Sequence, residues 1–470
     1  MARSEHVVGR NFLSLGAGEA VARIIAFAAT IYIARVLGAE GYGVVGFATA
    51  VLLYLTRIAD AGAELGLGVR EIAARPELAD RLASSMIGFR LLLSLGLTAL
   101  TASVALAFLP SPDNRVLAAY ALTLLAVGFS TRWVHLGLER SGRVALARVL
   151  GEGTMLAIVL AVVHSPGDLV RVPLAQLAGD LLAGVILLVW LRRLGHRIWP
   201  ALDWKLVRPI LRRAMPLVAS ALLGLMIYNA DFIFLRVMRG PAEVGYYAAA
   251  YTLISFLINL GIAYSLSLLP TLTRLAAEPE SQRALYHTAS AHVFAAALPV
   301  AIGGFLLAPG IIALFFGADY APAVMALQIL VWSIPLSLVR DVPIIALMAS
   351  GREDWVLRTS GAAAVSNLVL NALLIPRYGV AGAALATVVT EGARLVLALR
   401  LSAPLGFGRT SVARYWRSAL AGLAMAAAIL LIPERSMPIA VPLGVLVYLG
   451  ALISFGGIRL RGRELPELTV

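Results

Sequence analysis

Apolar residues run along this chain in long windows separated by short polar turns. They lie at about 11–36, 42–65, 86–109, 114–136, 142–163, 168–191, 211–237, 244–270, 287–308, 322–348, 355–376, 378–400, 413–433 and 438–458. Each is close to the roughly 20 residues that cross a bilayer as one helix. The pattern predicts an all-α polytopic membrane protein with about 14 transmembrane helices. The first window is too long for a cleaved signal peptide and carries Glu19 and Arg23 in its middle, so it is expected to remain as a span. Composition agrees: 60% of the 470 residues are apolar and 14% are charged, against roughly half and a quarter in a soluble domain. No loop exceeds roughly thirty residues, so no separate soluble domain is expected. The absence of cysteine excludes thiolate chemistry and a disulfide scaffold.

Charge changes this picture only through its placement. The chain has 39 Lys+Arg, 26 Asp+Glu and a net charge of +13, which in a soluble protein would point to nucleic acid. With fourteen spans, however, the basic residues sort to one side of the membrane. Arg35, Arg115, Arg171, Arg236, Arg239, Arg377 and Arg435 fall on the other side, and Arg23, Arg340 and Arg394 lie inside spans. The rest share one side, among them Arg90, the linker cations Arg192, Arg193, Arg197, Lys205, Arg208, Arg212 and Arg213, and the late Arg409, Arg414, Arg461 and Arg463. Cytoplasmic loops carry the excess of Lys and Arg, so both termini are expected in the cytoplasm. Trp133, Trp190, Trp199, Trp204, Trp355 and Trp416 lie near the same boundaries and read as interfacial anchors.

The chain also repeats. Arg35-Val-Leu-Gly-Ala-Glu-Gly-Tyr ends the first window, and Arg236-Val-Met-Arg-Gly-Pro-Ala-Glu-Val-Gly-Tyr ends the seventh. Both runs turn on the same side after an odd-numbered span, which describes a parallel duplication of six helices, an arrangement known in transporters. The expected layout is an N-lobe at 1–192, a basic linker at 193–212, a C-lobe at 213–402, and two further helices with a tail at 403–470. The run from Ala419 to Ala428 is rich in small residues that let helices approach closely in lipid, so the extra pair is expected to pack against one lobe.

Four stretches carry a family resemblance: Ala34-Arg-Val-Leu-Gly-Ala-Glu-Gly-Tyr-Gly43, Trp133-Val-His-Leu-Gly-Leu-Glu-Arg140, the segment from Asn229-Ala-Asp231 to Ala248, and Asn367 to Ala386. On these the chain resembles the polysaccharide-export flippases of the MOP exporter superfamily, the O-antigen repeat-unit type, with the lipid II flippase and MATE exporters as more distant kin. The resemblance implies two six-helix lobes around a central cavity, with helices 13 and 14 making a groove for a lipid tail. It implies a carrier, not an enzyme, without cofactor. Its substrate would be an oligosaccharide linked to a polyprenyl (undecaprenyl-type) pyrophosphate, moved by alternating access to the outer leaflet of a bacterial inner membrane for O-antigen, capsule or exopolysaccharide synthesis. It further implies a monomer working beside polymerase and glycosyltransferase proteins, with no nucleic-acid partner.

Ionisable groups inside spans cost about 2.5–3.5 kcal/mol each on insertion scales, so each calls for a reason. Glu19 and Arg23 share one helix face; Arg23 is a candidate to meet the pyrophosphate with Glu19 holding it, or the two form a static pair. Arg340 and Asp341 are the deeper substrate candidates. Glu391 and Arg394 form a third pair, in which Arg394 is expected to snorkel toward the basic side. Asn229 and Asp231, toward the other end of their span, are candidates for sugar hydroxyls or a coupling cation, or simply face water. Glu19, Asp231, Glu391 and Arg394 are the candidates for coupling to H+ or Na+. Asn367 and Asn371 read as interhelical hydrogen-bond partners, and Gly151 and Gly153 as close-packing positions. His135 and His292 are isolated, so no metal is expected. A lipid II flippase is the alternative within the flippases, and two competing classes stand beside them. A MATE-type cation or drug antiporter needs a net acidic cavity. A membrane-embedded glycan polymerase or ligase needs a large outer loop or acidic cluster, whereas the outer loops here are short and hold few acids, such as Asp113, Asp168 and Asp319.

Overall fold

The computed structural model describes residues 2–64, 67–407, 415–459 and 467–468. Arg409, Arg414, Arg461 and Arg463 lie outside the described residues. Among the described residues the structure consists of helices joined by short turns and loops, apart from a two-residue antiparallel pairing of Ile458–Arg459 with Glu467–Leu468. Eleven helices among the described residues are long and apolar enough to cross a membrane. Two of these, Gly16–Asp60 and Asp354–Leu405, are double-length, broken in direction at Gly38 and Gly379. Taking each as two spans and adding the shorter apolar helix Trp416–Leu430 recovers the fourteen spans in their expected places.

The breaks explain the repeat. Gly38 has φ 68 and ψ 176, and Gly240, in the matching turn before the eighth span, has φ 106 and ψ 176. An extended ψ with positive φ is a conformation only glycine adopts cheaply, so the duplicated turn is a backbone motif as well as a sequence one. At Gly379 (φ 53) the Glu243 carboxylate fills the space a Cβ would need. Glu243 Oε2 accepts from the Val380 amide at 2.7 Å and so caps the twelfth span.

The chain forms two compact units, Met1–Leu225 and Met226–Val470. In the first, the core around Trp133, Met86, Ile87, Ile198, Val207 and Ile210 joins the third and fourth spans to the linker. Trp133 is wholly buried there, so it is a core residue and not the interfacial anchor expected. Only residues 194–203 of the linker are non-helical; the seventh span, Trp204–Met238, has already begun by residue 204. The fifth and sixth spans, Ser141–Val162 and Arg171–Arg193, close on each other through glycine: a Cβ on Gly151 would stand 2.9 Å from Gly179 O, and one on Gly179 2.5 Å from Gly151 O. Gly153 faces open space; the partner of Gly151 is on the next helix.

In the second unit the last helices, Trp416–Leu430 and Met437–Ser454, pack on the ninth span, Pro279–Leu306. Gly422 lies against Leu298 and Ile302, and Tyr448 donates to Ala295 O at 2.7 Å. The small residues of Ala419–Ala428 thus serve the close packing expected of them.

Candidate functional site

The sequence candidates gather in three places. The richest is built on the twelfth span, where Thr387, Thr390, Glu391 and Arg394 follow the i, i+3, i+4, i+7 spacing of one helix face. Glu391, fully buried, accepts from Ser337 Oγ (2.9 Å), Arg340 Nη1 (2.7 Å) and Arg394 Nη1 (2.6 Å). Arg340 also donates through Nη2 to Asp341 (2.7 Å) and through Nη1 to the Tyr228 hydroxyl (3.2 Å). Arg394 donates to the same hydroxyl at 2.7 Å, its guanidinium lying 5.7 Å from the Tyr228 ring centroid. Arg394 therefore does not snorkel: it is bound into the cluster. Two guanidiniums face two carboxylates, so the cluster is formally neutral. Arg340 is 4% exposed, and its buried Nε has no hydrogen-bond partner.

The second place is one to two helical turns away on the same elements. Asp231 is three residues past Tyr228 on the seventh span and is fully buried, so it does not face water. Its carboxylate accepts from the Tyr247 hydroxyl, from Thr387 Oγ1 (3.0 Å) and from Asn371 Nδ2 (2.6 Å). Asn371 donates also to Asn367 Oδ1 (2.8 Å), and Asn367 to Thr390 Oγ1 (3.4 Å). These asparagines are the interhelical partners expected, Asn371 reaching the Asp231 carboxylate and Asn367 the Thr390 hydroxyl. All three donors to Asp231 are neutral, and Asn371 Oδ1 is buried without a partner. Asn229 is 8% exposed and stands two positions before Asp231, a spacing that puts it on another face of the helix.

The third place lies in the first unit. Glu19 pairs with Arg23 at 3.4 Å within the first span and with Arg148 of the fifth at 3.5 Å; Arg148 also reaches Glu152 at 3.6 Å. The Arg23 side chain is 42% exposed, and Glu19 is the residue that ties two helices together. His135 is buried with Nε2 2.9 Å from Leu187 O, a structural contact.

Two buried charges did not stand out in the sequence: Asp113, expected in an outer loop, is 2% exposed, and the other is Arg90. Placed by its sequence position among the basic-side residues, Arg90 is fully buried in the third span, Ala79–Phe108. It donates to Ser130 O (3.0 Å) and Val127 O (2.6 Å) and stands 3.4 Å from Asp60. It thereby satisfies the Ser130 carbonyl, and adds a second donor to Val127 O beside the Ser130 amide, where the fourth span breaks between Phe129 and Arg132. The crowding of Arg57, Asp60 and Glu64 at the end of the second window was the available signal that a cation had to be near.

A family profile described as "Polysaccharide biosynthesis protein" matches residues 8–276, more than half of the chain. Among solved structures the fold is similar to the lipid II flippase MurJ in an inward closed conformation, with TM-score 0.80 at 16% identity, covering 94% of this chain and 98% of that one. It is also similar to an inward-facing multidrug resistance MATE family transporter of the MOP superfamily, with TM-score 0.65 at 19% identity, covering 83% and 96%. A MOP superfamily transporter from Pyrococcus furiosus, described as having a binding pocket of reverse polarity, matches with TM-score 0.58 at 18% identity, covering 85% and 95%. A search of curated protein sequences finds no match.

Proposed function

Because the chain belongs to the polysaccharide biosynthesis protein family and has a MurJ- and MATE-like fold, we propose that it is a flippase for oligosaccharide repeat units carried on a polyprenyl pyrophosphate. It works by alternating access of lobes 1–192 and 213–402 in a bacterial inner membrane, with both termini cytoplasmic. The observation that carries the substrate class is the Arg340–Arg394 pair: two guanidiniums held on one tyrosine hydroxyl inside a membrane bundle. Guanidinium forks match phosphoryl oxygens better than any other side chain. In the resting arrangement Glu391 and Asp341 occupy those donors, so the pyrophosphate binds by displacing carboxylates from Arg340 and Arg394, and the unpartnered Arg340 Nε supplies an additional donor. The neutral resting cluster lets the unloaded protein return without carrying net charge at this position. Arg23, exposed and only loosely paired, is the first unit's own candidate for contact with a phosphate.

Asp231 supports a coupling-ion role. A buried carboxylate with neutral donors alone takes either a proton or a small cation, because an isolated charge in that setting is costly. The same observation favours the second reading, a MATE-type cation antiporter. The deciding experiment is transport in proteoliposomes. Arg340→Lys keeps the charge but loses the fork, and is expected to slow flipping of a polyprenyl-pyrophosphate oligosaccharide about tenfold or more. A variant that flips normally, together with wild-type export of a cationic dye, would instead establish the antiporter.

A further inference from the structure

The linker after the sixth span is held as a rigid strap. The Arg197 amide donates to Asp80 Oδ2 (2.8 Å), His196 Nδ1 lies 2.6 Å from Asp80 Oδ1, the Trp199 amide donates to Ser84 Oγ (3.2 Å), and the Ala201 amide donates to Ser84 O (3.1 Å). Arg81 closes the far end on Asp203 at 2.7 Å. The strap runs so close to the third span that Ala201 O fills the space a Cβ on Gly88 would need. One face, with Ile198, Val207 and Ile210, is in the core.

The other face is neither core nor ordinary polar surface. Trp199, Leu202 and Trp204 are 69%, 53% and 52% exposed. Around them stand the exposed cations Arg192, Arg193, Arg197, Lys205 and Arg208, with the Arg192 guanidinium 5.2 Å from the Trp199 ring centroid. The neighbouring carboxylates are already engaged: Asp80 by His196 and the Arg197 amide, and Asp203 by Arg81. Among the described residues none of the five cations is in an ion pair. We infer that this face is a docking surface for the anionic phospholipid of the leaflet it borders. The face is formed by residues 194–203 together with the adjoining ends of two membrane-spanning helices, one ending at Arg193 and the other starting at Trp204, which puts it at headgroup level. There the tryptophans and Leu202 seat among the upper acyl carbons and the cations meet phosphates. The hydrogen bonds to Asp80 and Ser84 hold the surface in shape before lipid arrives, so little ordering cost attends binding.

The test uses the full-length protein in detergent, with lipid adducts counted by native mass spectrometry. Wild type is expected to retain phosphatidylglycerol over phosphatidylethanolamine. Arg192→Gln/Arg193→Gln/Arg197→Gln is expected to lose that preference by about fivefold per cation removed, with an unchanged melting temperature. Equal preference in the two proteins overturns the inference, as does displacement of the lipid by millimolar inorganic phosphate. Should the triple variant not fold, vesicles in which only one lipid carries bromine give the second measurement. Trp199 fluorescence, taken as wild type minus Trp199→Phe, should be quenched more by brominated phosphatidylglycerol than by brominated phosphatidylethanolamine. Equal quenching by both overturns the inference too.

Discussion

Arg340 and Glu391 meet at 2.7 Å between the tenth and twelfth spans, the arginine 4% exposed and the carboxylate fully buried. Neither can lose its partner cheaply. Removing one member of a buried pair costs about 3–5 kcal/mol, whereas replacing both by apolar groups is often close to neutral. Glu391→Leu or Arg340→Leu alone is therefore expected to lower the melting temperature strongly. The double variant restores a net charge of zero to the cluster but strands Asp341 and Arg394, which Arg340 and Glu391 hold, so it should recover only part of the loss while remaining unable to flip substrate. Additive thermal losses in the double-mutant cycle would contradict this.

Asp231→Asn removes the charge but leaves a polar group where Tyr247 and Thr387 hydroxyls can turn to donate or accept. Its melting temperature should change little. Transport by wild type should respond to an imposed proton or sodium gradient, and transport by the variant should not. A variant that keeps the gradient response would move the coupling ion elsewhere.

The glycine contact between the fifth and sixth spans predicts an asymmetry. Gly179→Ala puts a methyl group 2.5 Å from Gly151 O, an overpacking that costs about 1–3 kcal/mol. Gly153→Ala meets nothing within 4 Å and gains helix propensity, so it should be neutral or slightly stabilising. Paired thermal melts of the two variants check both signs.

The strap predicts a pH dependence with a definite sign. Hydrogen bonding from Arg81 holds the Asp203 carboxyl below its ordinary value, helped by the Lys205 amide. A lowered acid pKa favours the folded state above the unfolded value of about 3.9 and loses that contribution as pH falls through the folded one. Amide exchange in residues 203–206, corrected for intrinsic rates, should therefore be flat from pH 8 to 5 and rise only in stronger acid. A rise between pH 5 and 8 would assign the clasp to another group.

What was legible in the sequence depended on whether the signal was local. Span positions, the Gly38 and Gly240 turns and the Glu391–Arg394 face all follow from neighbours within a few residues. Partnerships did not. Arg394 near the end of its helix looked free to snorkel until Tyr228, from a span far earlier in the chain, proved to hold it. Asp231 looked interfacial because residue count measures depth along a helix and says nothing of which side is covered; Asn371 and Thr387 cover it. Arg90 and Trp133 misled for the same reason: a charge or an aromatic ring near a helix end is an anchor or a core group according to what packs upon it.

The strap carries one more consequence, for the integrity of the chain. On one side of exposed Leu202, Ala201 is bonded to Ser84; on the other, Asp203 is bonded to Arg81, Val207 and Ile210 are in the Trp133 core, and Arg213 reaches Glu71 at 3.0 Å. The chain is thus held to the third span and its surroundings on both sides of that residue, before it by the Ala201 amide and after it by side chains at the start of the seventh span. Two fragments parted at Leu202 and made together are therefore expected to find each other through these contacts and complement as a split protein.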